Sequence, residues 1–142
     1  MDKLLYKTIN ETITKLSSLN EPVPMPLLLP DETEIESAEN ELGVNFHPDY
    51  RKYLEEASNV IYGVLEQATI PTNSDNTYIV LLAKAAWEMS IPGHLIPIAE
   101  DNGDYYCMDE SGQVLFWSHD GSSDEKWPDL ANWIEQVWTG RN

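Results

Sequence analysis

Apolar positions near the start of the chain recur at helical spacing. Leu5, Ile9, Ile13 and Leu16 lie three or four residues apart with polar residues between them, which predicts a helix between residues 3 and 19. The stretch "NEPVPMPLLLP" follows. Its Pro22, Pro24, Pro26 and Pro30 each fix φ and lack an N–H, so residues 21–30 are expected to form an extended connector, with Leu27, Leu28 and Leu29 lying against the core.

Helical periodicity resumes at Asp31. Asp31 and Glu34 have the spacing of a capping box, Ile35, Ala38 and Leu42 form one apolar stripe, and Gly43 is placed to end the helix. In "HPDYRKYLEEA", Pro48 suits a first helical turn, while Tyr50 with Leu54 and Tyr53 with Ala57 share the inward face. The β-branched and aromatic stretch "NVIYGVLEQATI" predicts one or two strands between Val60 and Ile70. "TYIVLLAKAAWEM" places Ile79, Leu82, Ala83 and Ala86 on a helical face, stopped by Pro92 and Gly93.

The pattern then changes to short strands. "HLIPIAE" runs to the Asn102-Gly103 turn, "DYYCMD" follows, and after "DESGQ" comes "QVLFWS", which together predict an antiparallel meander over residues 95–118. The segment "SHDGSSDE" reads as a loop. A last helix is marked by Leu130, Trp133, Ile134 and Val137, with Pro128 before it and Gly140 after. The pattern thus predicts helices before and after an antiparallel meander. Residues 1–142 are expected to make one domain, with 1–20 as its N-terminal helix and 21–30 as its connector.

Composition narrows the function. No apolar run approaches the roughly 18 residues of a membrane span, and the first residues lack the features of a secretory signal, so a cytoplasmic protein is expected. Cys107 stands alone and within an apolar strand, which fits a packed thiol. His47, His94 and His119 show no metal-ligand spacing, and no nucleophile elbow or phosphate-binding glycine loop occurs. Neither a cofactor, a metal site nor an enzymatic activity is expected.

Charge changes the picture most. The chain has 25 acids against 8 bases, a net charge of −17, which disfavours nucleic acid and anionic membranes as direct ligands and favours a basic protein partner. The acids cluster: nine lie between Ala85 and Glu125 and eight between Glu21 and Tyr50, with no Lys or Arg in either stretch. If the meander edge and "SHDGSSDE" lie beside the helix begun by Asp31, one face becomes strongly negative. Tyr105 and Tyr106 fall on opposite strand faces, so one of them is expected in the core. An exposed aromatic ringed by acids would serve as an interface anchor. The expected partner-binding residues are Glu100, Asp101, Asp104, Asp109, Glu110, Trp117, Asp120, Asp124 and Glu125.

Several of these pieces occur together in a known family. "IESAENELGVNFHPDYRKYLEEA", "LIPIAEDNGDYYCMDESGQVLFWSHD" and "LANWIEQVW", spanning Ile35 to Trp138, resemble the SMI1/KNR4 or SUKH superfamily. The matching features are the Glu39 helix ending at Leu42-Gly43, the Pro48-Asp49-Tyr50-Arg51 helix start, the Ile96-Pro97-Ile98 strand and the Gly-Asp-aromatic hairpin. The chain departs from the family in having Phe46-His47 where Leu-Pro is usual, and Val60-Ile61 after Asn59 where two glycines are usual. The resemblance implies an α+β fold and a bacterial immunity protein that neutralises a toxin domain, often a nuclease. Two alternatives stay open: a scaffold for an endogenous protein, and a small enzyme using carboxylates in a cleft.

Overall fold

The computed structural model describes residues 8–21, 23–24, 28–63, 66–70, 79–118 and 121–140; the side chains of 66 and 121–124 are outside that description. Five α-helices and five strands alternate unevenly along them: α1 (Ile9–Ser18), α2 (Glu32–Leu42), α3 (Pro48–Ala57), β1 (Glu66–Gln67), α4 (Ile79–Glu88), β2 (Ile96–Asp101), β3 (Asp104–Met108), β4 (Val114–Ser118), β5 (Gly121–Trp127) and α5 (Leu130–Trp133). The strands form one antiparallel sheet in sequence order, as the meander pattern requires.

Helix ends follow local chemistry. Thr8 with Glu11 and Asp31 with Glu34 close reciprocal capping boxes, and Gly43 ends α2 at φ 73°, a left-handed conformation that costs a glycine little. The Phe46-His47 departure has a direct structural use. His47 precedes Pro48 and its Nδ1 accepts the Asp49 amide at 3.1 Å, so the imidazole caps α3. At the other departure, Asn59, Val60 and Ile61 all keep negative φ. The turn there needs no glycine, and Asn20 Oδ1 accepts the Ile61 amide at 2.8 Å.

α5 widens into a π-helical turn over Ile134–Trp138, marked by the Thr139 amide donating to the Ile134 carbonyl at 2.9 Å. Trp133, Ile134, Val137 and Trp138 all enter the core. There a chain of ring contacts joins the helices to the sheet: Phe46, Tyr50, Tyr53, Trp138, Trp133 and Tyr106 follow one another at centroid separations of 5.3 to 6.3 Å. Each such pair contributes about 0.5–1.5 kcal/mol beyond the area it buries.

Four expectations are corrected. Leu28 and Leu29 are 69% and 39% exposed; the buried residue that holds the connector is Pro30, and Leu27 lies outside the described residues. Of the stretch expected as strand over Val60–Ile70, the described residues are strand only at Glu66–Gln67, with a bridge at Thr69, and Val64 and Leu65 lie outside the described residues; the Ile61 backbone is already bonded to Asn20 and Glu21 at the end of α1. "SHDGSSDE" is largely a strand: β5 pairs with β4, a bulge taking up the register between Leu115 and Trp117. Tyr105 and Tyr106 are both buried, at 6% each, since each sheet face has its own apolar cover. Among the described residues no helix is long and apolar enough to cross a membrane.

Candidate functional site

Antiparallel register decides which acids meet. Asp101 opposes Asp104 across the Asn102-Gly103 turn, whose two central residues have φ 53° and 87°, the pair of left-handed conformations that a tight hairpin favours. The next rung continues across three strands, Glu100 opposite Tyr105 and Tyr105 opposite Trp117. Directly opposed residues share a face, so Glu100, Tyr105 and Trp117 form a row on the face turned away from the main core. Cys107 and Leu115 make the adjacent row, with Lys126 beyond them.

The end of α4 and the segment after it cover part of this face, with Ala86, Ile91 and Leu95 buried against Tyr105 and Cys107. Trp87 fixes that segment by donating Nε1–H to the Leu95 carbonyl at 2.9 Å. Leu115 and Trp117 pack against this cluster yet stay half-buried. Met89, 52% exposed, lies at the boundary, its Sδ 3.9 Å from the Tyr105 hydroxyl. The Tyr105 phenol is held above its ordinary pKa, first by burial and then by the Glu100 carboxylate. Cys107 is the packed thiol its strand context implied, with burial pushing its pKa up to about 12.

Those of the nine expected partner-binding residues that are described do not form one continuous group. Glu100, Asp101, Asp104 and Trp117 gather at the β2–β3 end. Asp109 and Glu110 sit at the opposite end of β3, about 15 Å away at the rise of an extended strand. Asp109 is fixed there: its Oδ1 accepts the Ser111 amide at 3.0 Å, the Ser111 hydroxyl at 2.7 Å and the Gln113 amide at 3.1 Å. Glu125 is exposed on β5; Asp120 lies outside the described residues, as does the side chain of Asp124. α2, begun by Asp31, packs on α3 and α4.

Pattern reading passed over the acid with the most defined surroundings. Glu39 is 7% exposed, accepts the Phe46 amide through Oε2 at 2.7 Å and pairs through Oε1 with Arg51 Nη1 at 2.5 Å. Arg51 also lies 3.7 Å from Glu32, and the hydrogen bond it donates to Glu39 holds its guanidinium above its ordinary pKa. These contacts bind α2 to α3 and set the conformation of the Val44–His47 connection. A twelve-residue separation across a loop has no periodic signature. Among the described residues no three His, Cys, Asp or Glu side chains are placed to hold a metal ion.

Comparison with known proteins agrees with this architecture. A crystal structure titled as a protein from Pseudomonas syringae pv. tomato superposes with a TM-score of 0.87 at 38% identity, covering 92% of this chain and 98% of that one. No curated protein matches. A family model described as SMI1-KNR4 cell-wall, SUKH_5, matches residues 9–139. The chain belongs to the SMI1/KNR4, or SUKH, family.

Proposed function

We propose that this protein is a non-enzymatic binding module, a cytoplasmic immunity protein that neutralises a basic toxin domain through the open face at the β2–β3 end of its sheet. One observation carries the reading: half-buried Trp117 and exposed Met89 border the Tyr105 rung, with Glu100, Asp101 and Asp104 around them. An aromatic anchor within a polar rim has the anatomy of an interface hot spot. The acids select the partner. A toxin that handles nucleic acid is basic where it holds phosphate, and an acidic module steered onto that surface occludes it, with association reaching about 10⁸–10⁹ M⁻¹s⁻¹ at low salt. Membership in the SMI1/KNR4 family supports the binding role. Neither nucleic acid, a membrane nor a cofactor enters this reading.

The test is affinity capture from the source cell, with the wild type beside Trp117→Ala and the Asp101→Lys/Asp104→Lys double variant, at low and high salt. The expected result is one basic protein that arrests growth when expressed alone and is harmless when co-expressed with this chain. Trp117→Ala is expected to weaken its binding at least about 30-fold, as for a hot-spot aromatic, and the double variant by orders of magnitude through the association rate. Equal capture by all three, or a captured protein without toxicity, overturns the proposal.

A further inference from the structure

A second feature lies at the other end of the hairpin, where the α2–α3 connection, the approach to β2 and the β3–β4 turn meet around a small open cleft. Its floor is apolar: Phe46, Tyr50, Ile96 and Met108 are 1% to 7% exposed. Its rim carries Asp109, Glu110, His47 and His94, and among the described residues no Lys or Arg lines it.

Several groups at this cleft lack partners. Three donors converge on Asp109 Oδ1, which holds the carboxylate rigid and leaves Oδ2 with no hydrogen bond among the described residues. Exposed Glu110 has no ion pair or hydrogen bond among them either. The buried Tyr50 hydroxyl has no hydrogen-bond partner among the described residues either. His47 is fixed by a different route. Because its Nδ1 accepts the Asp49 amide, the neutral ring carries its proton on Nε2, and the ring is wedged against Gly112, where a Cβ would stand 2.8 Å from Cδ2 and Nε2.

We propose that this cleft seats one arginine side chain of the basic partner, its methylenes on the Phe46, Ile96 and Met108 floor and its guanidinium between Asp109 and Glu110. Arginine fits better than lysine. Its planar, weakly hydrated head donates in several directions at once and stacks on imidazole faces, and its stem covers apolar surface. Two carboxylates on a chain of net charge −17 exclude an anionic occupant. The preset Asp109 lowers the ordering cost of the pair. This inference rests on the binding reading above and adds a second contact, at the end of β3 remote from Trp117.

The test uses a small probe, so that it does not depend on the partner. N-acetyl-L-arginine methylamide is titrated into the ¹⁵N-labelled protein, with the citrulline analogue as its neutral isostere. Saturable millimolar shifts are expected at the amides of Asn45, His47, His94 and Glu110, absent with citrulline. Glu110→Gln is expected to weaken the probe about fivefold, the worth of one exposed charge pair, while Asp101→Lys/Asp104→Lys binds it as the wild type does. Absence of saturation, equal shifts with citrulline, or shifts centred on the β2–β3 turn overturns the inference. The two readings fail separately. A probe that misses the cleft while the partner still depends on Asp101 and Asp104 removes the arginine seat alone, and a partner indifferent to Asp101 and Asp104 removes the interface reading.

Discussion

At the scale of single residues, the core contains polar atoms that the pattern of apolar positions could not anticipate. Tyr50 and Tyr53 were legible as inward-facing, but their hydroxyls are buried without hydrogen-bond partners among the described residues. Their rings stack at 5.8 Å, and removal from water holds the Tyr53 phenol neutral well above its ordinary pKa, with Tyr50 adding to the effect. Above about pH 10 an unfolded tyrosine loses its proton while the folded one keeps it, so the native state binds more protons and stability falls as pH rises. Cys107 acts in the same direction from about pH 9, since its pKa in the fold is about 12. Both contributions are fully present at neutral pH. Tyr53→Phe removes an unsatisfied hydroxyl and one of these titrations, and is expected to add about 1 kcal/mol at pH 7 and to flatten the alkaline loss. Urea midpoints of the two proteins from pH 7 to 11 check this, and a less stable Phe variant refutes it.

At the scale of elements, five helices and the three-strand meander followed from periodicity, caps and the Asn102-Gly103 turn, because those signals are local. β5 did not. Gly121 to Lys126 lacks β-branched and aromatic residues, yet the free edge of β4 supplies a ladder, and Trp127 opposite Val114 anchors the strand beside the core residues Tyr106 and Trp133. The Val60–Ile70 stretch is the converse, a sequence with strand propensity whose backbone is engaged elsewhere. The connection between α3 and the hairpin is similarly non-local. Gly112 has φ 94° and touches the ring that caps α3, so Gly112→Ala meets both a backbone penalty and a clash with His47. We expect this substitution to cost about 2 kcal/mol in the wild type and about 1 kcal/mol in a His47→Ala background, where only the backbone penalty remains. Denaturant unfolding of the four proteins closes the cycle, and strict additivity would show that the ring and the turn are uncoupled.

At the scale of the molecule, the charge excess was legible from composition, but its distribution was not, since it depends on which turns lie at which end of the sheet. Lys15, Arg51, Lys52 and Lys84 are already committed to carboxylates, and 8 bases in all cannot balance 25 acids. Compact folding holds these charges closer together than the unfolded chain does, and their mutual repulsion opposes stability. The Debye length falls from about 10 Å at 0.1 M salt to about 3 Å at 1 M, which screens exposed pairs beyond the nearest neighbours. Raising sodium chloride over that range is therefore expected to stabilise the isolated protein by about 1 kcal/mol, or some 3–5 °C in thermal midpoint. With the captured partner, the same change is expected to slow association far more than it alters dissociation, because exposed charges act through steering. The two responses have opposite signs for one cause: salt relieves the free protein and weakens the complex. A midpoint indifferent to salt, measured by differential scanning fluorimetry, would mean that the acids are locally compensated, leaving repulsion no part in favouring a basic partner.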